Sequence, residues 1–504
     1  MSKTAAAEFT RLNGLRGSYL TRAEKHSGYT LPRVCPPSNY NVNNDSLTHD
    51  FQSVGAQSTN HLVNRLMLTM FAPSRPFIRL ALTRKARAEV LAAGIKEADV
   101  DAGLAQGERD ALAEIDNRPL RSKLFEHLTQ LVIVGDSLLR LPQDDDEDIA
   151  HYSIRDYVMR RTPGGKISTL IVREKYAVDS LAPEAQALWL AHKPGAKGTD
   201  EVDLFHYVER TGRDSLRDST WIADLPLGGK FVTTYKDDTC PWVATTWHLK
   251  RGQHYGTGIV EDYSGDFAAL SALSEAQVKG AILASEFRWL VNPSGITKPE
   301  DLEASENGAA LPGVEGDVSL VANSKSGDLQ VIRTIGEDYI RRIGHGFLLN
   351  SAMTRDAERV TAEEIRAQAM ELETGLGGVY TRLSLSLQSP VARWALASAD
   401  IKLGETKIEF KIITGLDALS RNGDLAALRA ALADIAALQN LGPLVDRLDT
   451  QAIMTTIFTG HGVPADKYVL TAEQLAAKQE AQNQQHAVEA NTEAAAKSME
   501  KPPQ

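Results

Sequence analysis

The sequence predicts an α+β chain in which a body of short strands is bracketed by long amphipathic helices. Between Leu138 and Tyr235, short strand-like runs alternate with turn signals, without the repeated strand–helix–strand units of a doubly wound sheet. On either side, apolar residues recur at steps of three and four over long stretches, the period of a helix with one buried face. With 504 residues, 42% apolar and 24% charged, the chain is long enough for two to four domains with substantial cores.

The first 35 residues carry Lys3, Arg11, Arg16, Arg22, Lys25 and Arg33 against Glu8 and Glu24, and the run stops at Pro32, Pro36 and Pro37. This reads as a basic helical arm from about Ala5 to His26. It is either a solvated surface helix or a contact with a neighbouring subunit or DNA. A helix from Ala56 to Phe71 follows, with Val63, Leu66, Met67 and Met70 on one side, ended by Pro73 and Pro76. Residues 79 to 116 are rich in Ala, Glu, Arg and Lys, and another helix spans Lys123 to Val134.

The expected strands are Leu138 to Pro142, His151 to Arg160, Ile167 to Glu174, Glu201 to Glu209 and Lys230 to Tyr235. Pro163-Gly164-Gly165-Lys166 is the clearest hairpin turn among them. The acidic run Asp144, Asp145, Asp146, Glu147, Asp148 reads as a solvated loop, since consecutive acids on a turn cannot all converge on one cation. Helix returns from Glu261 to Leu290, where Tyr263, Phe267, Leu270, Leu273, Val278 and Ile282 make a broad apolar side. A helix of that span would reach about 45 Å. Asn292-Pro293-Ser294-Gly295 ends it, a Gly- and Pro-rich excursion with a strand at Val318 to Val321 follows, and Asp328 to Leu349 is helical again. Together these segments form a projecting helical hairpin with a small knob at its end.

The stretch from Phe347 to Ala395 carries the most information. Thr361 and Glu364 form a capping box, with Val360 stapled onto Ile365. Ile365, Ala369, Leu372, Leu376, Val379, Leu383 and Leu387 form one stripe, interrupted by Gly375, Gly377 and Gly378, which imply a close approach or a bend. Beyond it, Asp424 caps a helix with the stripe Leu425, Leu428, Leu432, Ile435 and Leu438, and Thr471 with Gln474 starts another. Residues 485 to 504 have little to bury.

Catalytic motifs are missing from the sequence. No GxxxxGK[ST] loop, HExxH or paired-cysteine zinc spacing occurs, so neither a cofactor nor a metal is expected and the chain does not read as an enzyme. Asp262 and Asp266, one helical turn apart, are the nearest approach to a nuclease centre, without a third ligand beside them. Cys35 and Cys240 are far apart and no secretory signal opens the chain, which points to the reducing cytoplasm. No apolar run suffices to span a bilayer, so no membrane contact is expected. A net charge of −11 confines any attraction for nucleic acid to local basic patches.

Three blocks carry a family resemblance: VGAQSTNHLVNRLMLTMFAPSRPFIRL from Val54, YGTGIVEDYSGDFAALSALSEAQVKGAILASEFRWLVNPSGIT from Tyr255, and the Phe347–Ala395 stretch. In order and spacing the chain resembles the head–tail connector, or portal protein, of short-tailed bacteriophages (podoviruses), over most of residues 10 to 480. The resemblance implies a portal fold with a wing (1–260 together with 350–412), stem helices (261–290 and 328–349) and a clip (291–327). A helical crown (413–484) and a disordered tail (485–504) complete it.

It also implies a ring of twelve subunits at one capsid vertex of the virion, assembled in the host bacterial cytoplasm. Double-stranded DNA would be packaged through the ring by a separate terminase motor and later ejected. Implied partners are the terminase large subunit, a tail adaptor, the major capsid and scaffolding proteins and internal core proteins. A channel loop between the second stem helix and the long wing helix falls on Asn350 to Arg359. Its DNA-facing candidates are Asn350, Thr354, Arg355, Glu358 and Arg359, ahead of the cap at Thr361 and Glu364. Arg355 and Arg359 either touch phosphates or pair with Asp356, Glu358 or Glu363. A DNA-processing nuclease and a structural capsid or scaffolding component are the alternatives.

Overall fold

The computed structural model describes residues 4–71, 77–94, 97–144, 147–285, 287–306, 308–322, 326–349, 375–376, 378–401, 408–412 and 453. Two compact units emerge, one from residues 1–73 and 115–394, the other from 74–114 and 395–504. In the second unit, β1 (Ile78–Leu82) pairs antiparallel with the strand Ile408–Ile412. The buried carboxylate of Glu108 accepts a hydrogen bond from the Leu80 backbone N–H at 2.9 Å. The Ala-, Glu-, Arg- and Lys-rich residues 79–116 hold α4 (Arg84–Ala92) and α5 (Glu97–Asn117).

The first unit is built around α6 (Leu120–Val134), whose Leu120, Leu124, Leu128, Leu131, Val132 and Ile133 are all fully buried. A helix apolar on every side must be covered on every side. It is covered by α2 (Gly17–Tyr29), α3 (Val54–Met70), α8 (Ile259–Asp262) and β2 (Asp136–Arg140). The central strand β2 pairs with β3 (Ala150–Tyr152) and β10 (Trp242–Thr246) in an antiparallel three-stranded sheet.

A larger antiparallel sheet takes the order β4 (Tyr157–Arg161), β5 (Ile167–Ala177), β6 (Glu201–Arg210), β7 (Ser215–Ile222) and β8 (Leu225–Pro226), with β9 (Val232–Lys236) also paired to β7. The Pro163–Lys166 turn closes the β4–β5 hairpin as expected, with Gly165 at φ +88°. The expected strand from His151 to Arg160 is in fact two strands separated by a turn, β3 and β4. The sequence reading missed β7, β10 and α7 (Pro183–His192).

The basic N-terminal stretch packs its apolar face on the body and leaves most of its charged face in solvent, as the solvated-helix reading expects. It is two helices, α1 (Ala5–Leu15) and α2, broken at Arg16. Ala5, Phe9 and Leu12 pack on Val158, Ile171 and Phe205 of the larger sheet, and Arg173 lies over the Phe9 ring. Arg16 is itself buried over the Tyr255 ring, 5.5 Å from its centroid. Of its described lysines and arginines only Arg16 is buried; Arg11, Arg22, Lys25 and Arg33 stay exposed, with Arg22 reaching Glu261 at 3.0 Å.

Where α6 ends, the chain segment that leads into the long helices crosses it backbone to backbone. Gly135 caps α6 in the left-handed region at φ +98°, and a Cβ there would meet the Thr257 carbonyl carbon at 2.4 Å. A Cβ on Gly258 would meet the Val132 carbonyl oxygen at 2.5 Å. No side chain fits this crossing. Buried Asp136 ties it down, accepting hydrogen bonds from the Gly256 backbone N–H and from the Tyr19 hydroxyl, with Arg161 at 3.8 Å. Burial pushes the Asp136 carboxyl up to about 7, although Arg161 and the Gly256 N–H oppose the shift.

Gly135→Ala should therefore cost more than about 3 kcal/mol and lower the melting temperature, whereas Gly14→Ala, with nothing within 4 Å in α1, should be neutral or stabilising. Equal melting temperatures for the two variants would contradict the crossing. Asp136 makes a second prediction. The folded carboxyl holds its proton to about pH 7, while an unfolded one ionises near its ordinary 3.8. Its contribution is thus complete at acid pH and is lost as pH rises through about 7. Relative to Asp136→Asn, a neutral isostere, the native protein should lose stability over this window by up to about 1.4 kcal/mol per pH unit. A constant difference between the two proteins in urea titrations would contradict this.

Candidate functional site: an exposed apolar helix pair

Two long helices, α9 (Ser264–Ser285) and α11 (Ser326–Gly346), pack side by side and run antiparallel. Asp266 meets Arg342 at 3.7 Å near one end, and Gly280 approaches Leu329 toward the other. At helical rise each is about 32 Å long. The first is shorter than the sequence predicts: the 261–290 helix stops at Ser285, and Phe287–Val291 is a strand, β11, paired with β12 (Val318–Ala322). β-branched and aromatic residues in FRWLV, with a partner strand available, outweigh the continued helical period. The expected strand at Val318 is present, preceded by the short helix α10 (Pro299–Glu303).

Beyond the helices, Asp317 organises the tip. Its carboxylate accepts from the backbone N–H of Ile296 at 3.0 Å and of Thr297 and Val314 at 3.4 Å, drawing two loops onto one side chain. The residues near it are apolar and open to solvent: Ile296 is 64% exposed and Val314 59%.

Burial along the pair is graded. At the base, Phe267, Leu270, Ile343 and Phe347 are buried. Phe267 and Phe347 meet edge to face at 5.9 Å, and Tyr29 of α2 stacks on Phe267. Tyr263 lies so close to Gly346 that a Cβ there would fall 2.1 Å from the ring. Farther out, Val278, Leu283, Val331, Ile335 and Ile340 are between 40% and 58% exposed. This apolar surface is what the amphipathic stripes of the sequence become in one chain.

After Phe347 the chain turns at Leu348, a non-glycine residue at φ +58°. Helix α3 reaches this turn, with His61 Nε2 at 3.1 Å and Arg65 Nη1 at 3.4 Å from the Leu348 carbonyl oxygen. The channel-loop candidates Asn350, Thr354, Arg355, Glu358 and Arg359, and the cap residues Thr361 and Glu364, lie outside the described residues. So do the helices expected from 413 to 484, apart from position 453. Downstream, Leu376, Val379, Leu383 and Leu387 are buried, as the stripe requires. Gly378 adopts φ +80°, and Ser384–Gln388 is a π-helical turn, so the glycine run marks a bend.

Asp262 and Asp266, the nearest approach to a carboxylate pair in the sequence, stand apart in their surroundings. Asp262 is exposed, Asp266 is engaged by Arg342, and the pair flanks Tyr263, whose hydroxyl is pushed up by burial and then by these two carboxylates. Among the described residues no group of three or more His, Cys, Asp or Glu side chains could hold a metal ion. In the acidic run, Glu147 pairs with Arg140 at 2.7 Å. No described helix is long and apolar enough to cross a membrane. Both cysteines are free thiols. The sequence reading missed Gly346 against Tyr263, the His61–Arg65 approach to Leu348 and the Asp317 pin. Only the Gly-rich spelling of GHGF and VEGD hinted at the first and third.

The chain is 33% identical to the portal protein of Enterobacteria phage T3 over 93% of its own length and 89% of that protein's. It is 33% identical to the portal protein of Escherichia phage T7, covering 98% and 93%. The portal protein of Pseudomonas phage phiKMV is 31% identical, covering 97% and 96%. A solved neck of an empty gene transfer agent particle aligns with a TM-score of 0.38 at 15% identity, over 78% of this chain and 88% of that one. The family of bacteriophage head to tail connecting proteins matches residues 2–469. The chain therefore belongs to the bacteriophage head-to-tail connecting proteins, the portal proteins that join a phage head to its tail.

Proposed function

We propose that this portal subunit closes with further copies of itself into a ring of twelve at one capsid vertex, and that double-stranded DNA passes through the hole. The observation that carries this reading is the exposed apolar surface of the α9–α11 pair. Five half-exposed aliphatic side chains would each contribute about 1 kcal/mol if a neighbour covered them. A head-to-tail contact between identical subunits that closes by rotation would cover all of them at once, and a central hole follows from closure.

In this reading the helix pair is the stem, the tip at 291–327 that contains β12 is the clip, and the strand-rich body with its helices is the wing. Residues 413–484 form the crown facing the capsid interior. The clip docks the terminase large subunit during packaging and the tail adaptor afterwards, while the rim meets the major capsid and scaffolding proteins and the crown meets internal core proteins. The ring makes and breaks no bond itself; a separate motor supplies the energy. A channel that must let DNA slide should attract phosphate weakly, and a net charge of −11 favours that. Asn350, Thr354, Arg355, Glu358 and Arg359 form the channel loop, with the two arginines as sequence-independent phosphate contacts.

Replacing Leu283 and Ile335 by glutamate places one charge near the outer end of α9 and one in the middle of α11. Their unpaired burial should shift the purified protein from rings to single chains in native mass measurements while leaving its far-ultraviolet circular dichroism unchanged. Rings of undiminished abundance would refute the stem interface. Replacing Arg355 and Arg359 together by alanine should leave rings intact and reduce the full-length genome retained in heads. Unchanged retention would contradict the channel assignment.

A further inference from the structure

The turn at Leu348 is held from two sides. Its carbonyl oxygen receives His61 Nε2 at 3.1 Å and Arg65 Nη1 at 3.4 Å, one helical turn apart on α3. A carbonyl can only accept, so His61 carries its proton on Nε2. Arg65 is 5% exposed, so its reach to this oxygen is made in a nearly dry environment. The Leu348 side chain meets the other side of the same junction. A Cβ on Gly375 would fall 3.0 Å from Leu348 Cδ2 and 3.7 Å from Cδ1. Residue 348, where the chain departs, and residue 375, where it returns, therefore touch.

A left-handed leucine is uncommon and persists only where the surroundings impose it. Here the imposing groups are identifiable. The Phe347 ring is locked between Tyr263 and Phe267, one residue earlier, and the α3 donors take the carbonyl, one peptide later. Gly375 leaves the space that the leucine side chain needs.

We propose that His61, Arg65, Leu348 and Gly375 form a clasp in which α3 holds the Leu348 end of the intervening segment and Leu348 in turn holds the Gly375 end, making His61 and Arg65 positioning residues for that segment. The clasp stands on contacts among these four residues; its bearing on DNA passage rests on the channel reading of Asn350 to Arg359. Helix α3 thereby couples the body to the point where the second long helix ends. Gly375 is required for the size of its side chain rather than for its backbone angle.

The test is limited trypsin digestion of the full-length chain, with fragment masses reporting cleavage after Arg355, Arg359 and Arg366. His61→Ala should raise cleavage at these three sites about tenfold, the opening expected from losing one hydrogen bond to a buried turn. His61→Gln, which keeps a donor, should restore the native rate. Gly375→Val, which pushes Leu348 aside, should match His61→Ala. Cleavage elsewhere in the chain and the melting temperature should stay within error of the native protein, a selectivity that a general loss of stability would not produce. Unchanged cleavage at the three sites, or a uniform rise at all sites in both variants, would overturn the clasp. The digestion needs neither ring nor DNA, so a chain that failed to form rings but showed the selective rise would sink the channel reading and leave the clasp standing.

Discussion

Everything distinctive about this subunit follows from one constraint: a pair of helices about 32 Å long cannot bury its own apolar surface. Two helices in contact cover one stripe each. Here that stripe is consumed near the base, by Phe267, Leu270, Ile343 and Phe347, and the outer residues from Val278 to Leu283 and from Val331 to Ile340 remain substantially exposed. A soluble monomer rarely carries such a surface without a use for it. The proposed ring supplies one, because the neighbours there would be copies of the same chain.

If neighbouring copies cover the outer pair as proposed, its root must hold its direction. The structure meets that demand with contacts that leave little freedom. Gly346 lets the Tyr263 ring sit directly on the helix backbone, and Tyr29 stacks on Phe267 from the body. The approach to α9 is fixed by backbone crossing backbone at Gly135 and Gly258, with Asp136 tying down Gly256 between them. Packing without intervening side chains transmits a displacement directly, since there are no rotamers to absorb it. The pair is thus a rigid extension of the body's core.

The long helices and the strand-rich body could be read from the sequence because periodicity reports burial. The stripe of Leu376, Val379, Leu383 and Leu387 is buried as its spacing requires. Two kinds of feature escaped. Phe287–Val291 continues a helical period yet forms a strand, because its partner at Val318–Ala322 lies some thirty residues away and local pattern cannot register that pairing. The N-terminal basic face is exposed as its composition suggests, but the burial of Arg16 and the long-range pairing of Arg22 could not be read from charge. Their partners, Glu261 for Arg22 and the Tyr255 ring for Arg16, come from distant segments. The same holds for the candidate site: the glycine run was visible as a bend, while the meeting of His61, Arg65 and Gly375 at Leu348 depends on folding. The loop candidates from Asn350 to Arg359 came from family resemblance alone.

The most direct measurement is electron microscopy of the purified full-length chain. Class averages should display closed rings with a central hole, and a reconstruction should place α9 and α11 of each subunit against the same helices of its neighbours, with Val278, Leu283, Val331 and Ile335 covered. Single compact particles at every concentration, or rings in which these side chains stay open to solvent, would contradict the account.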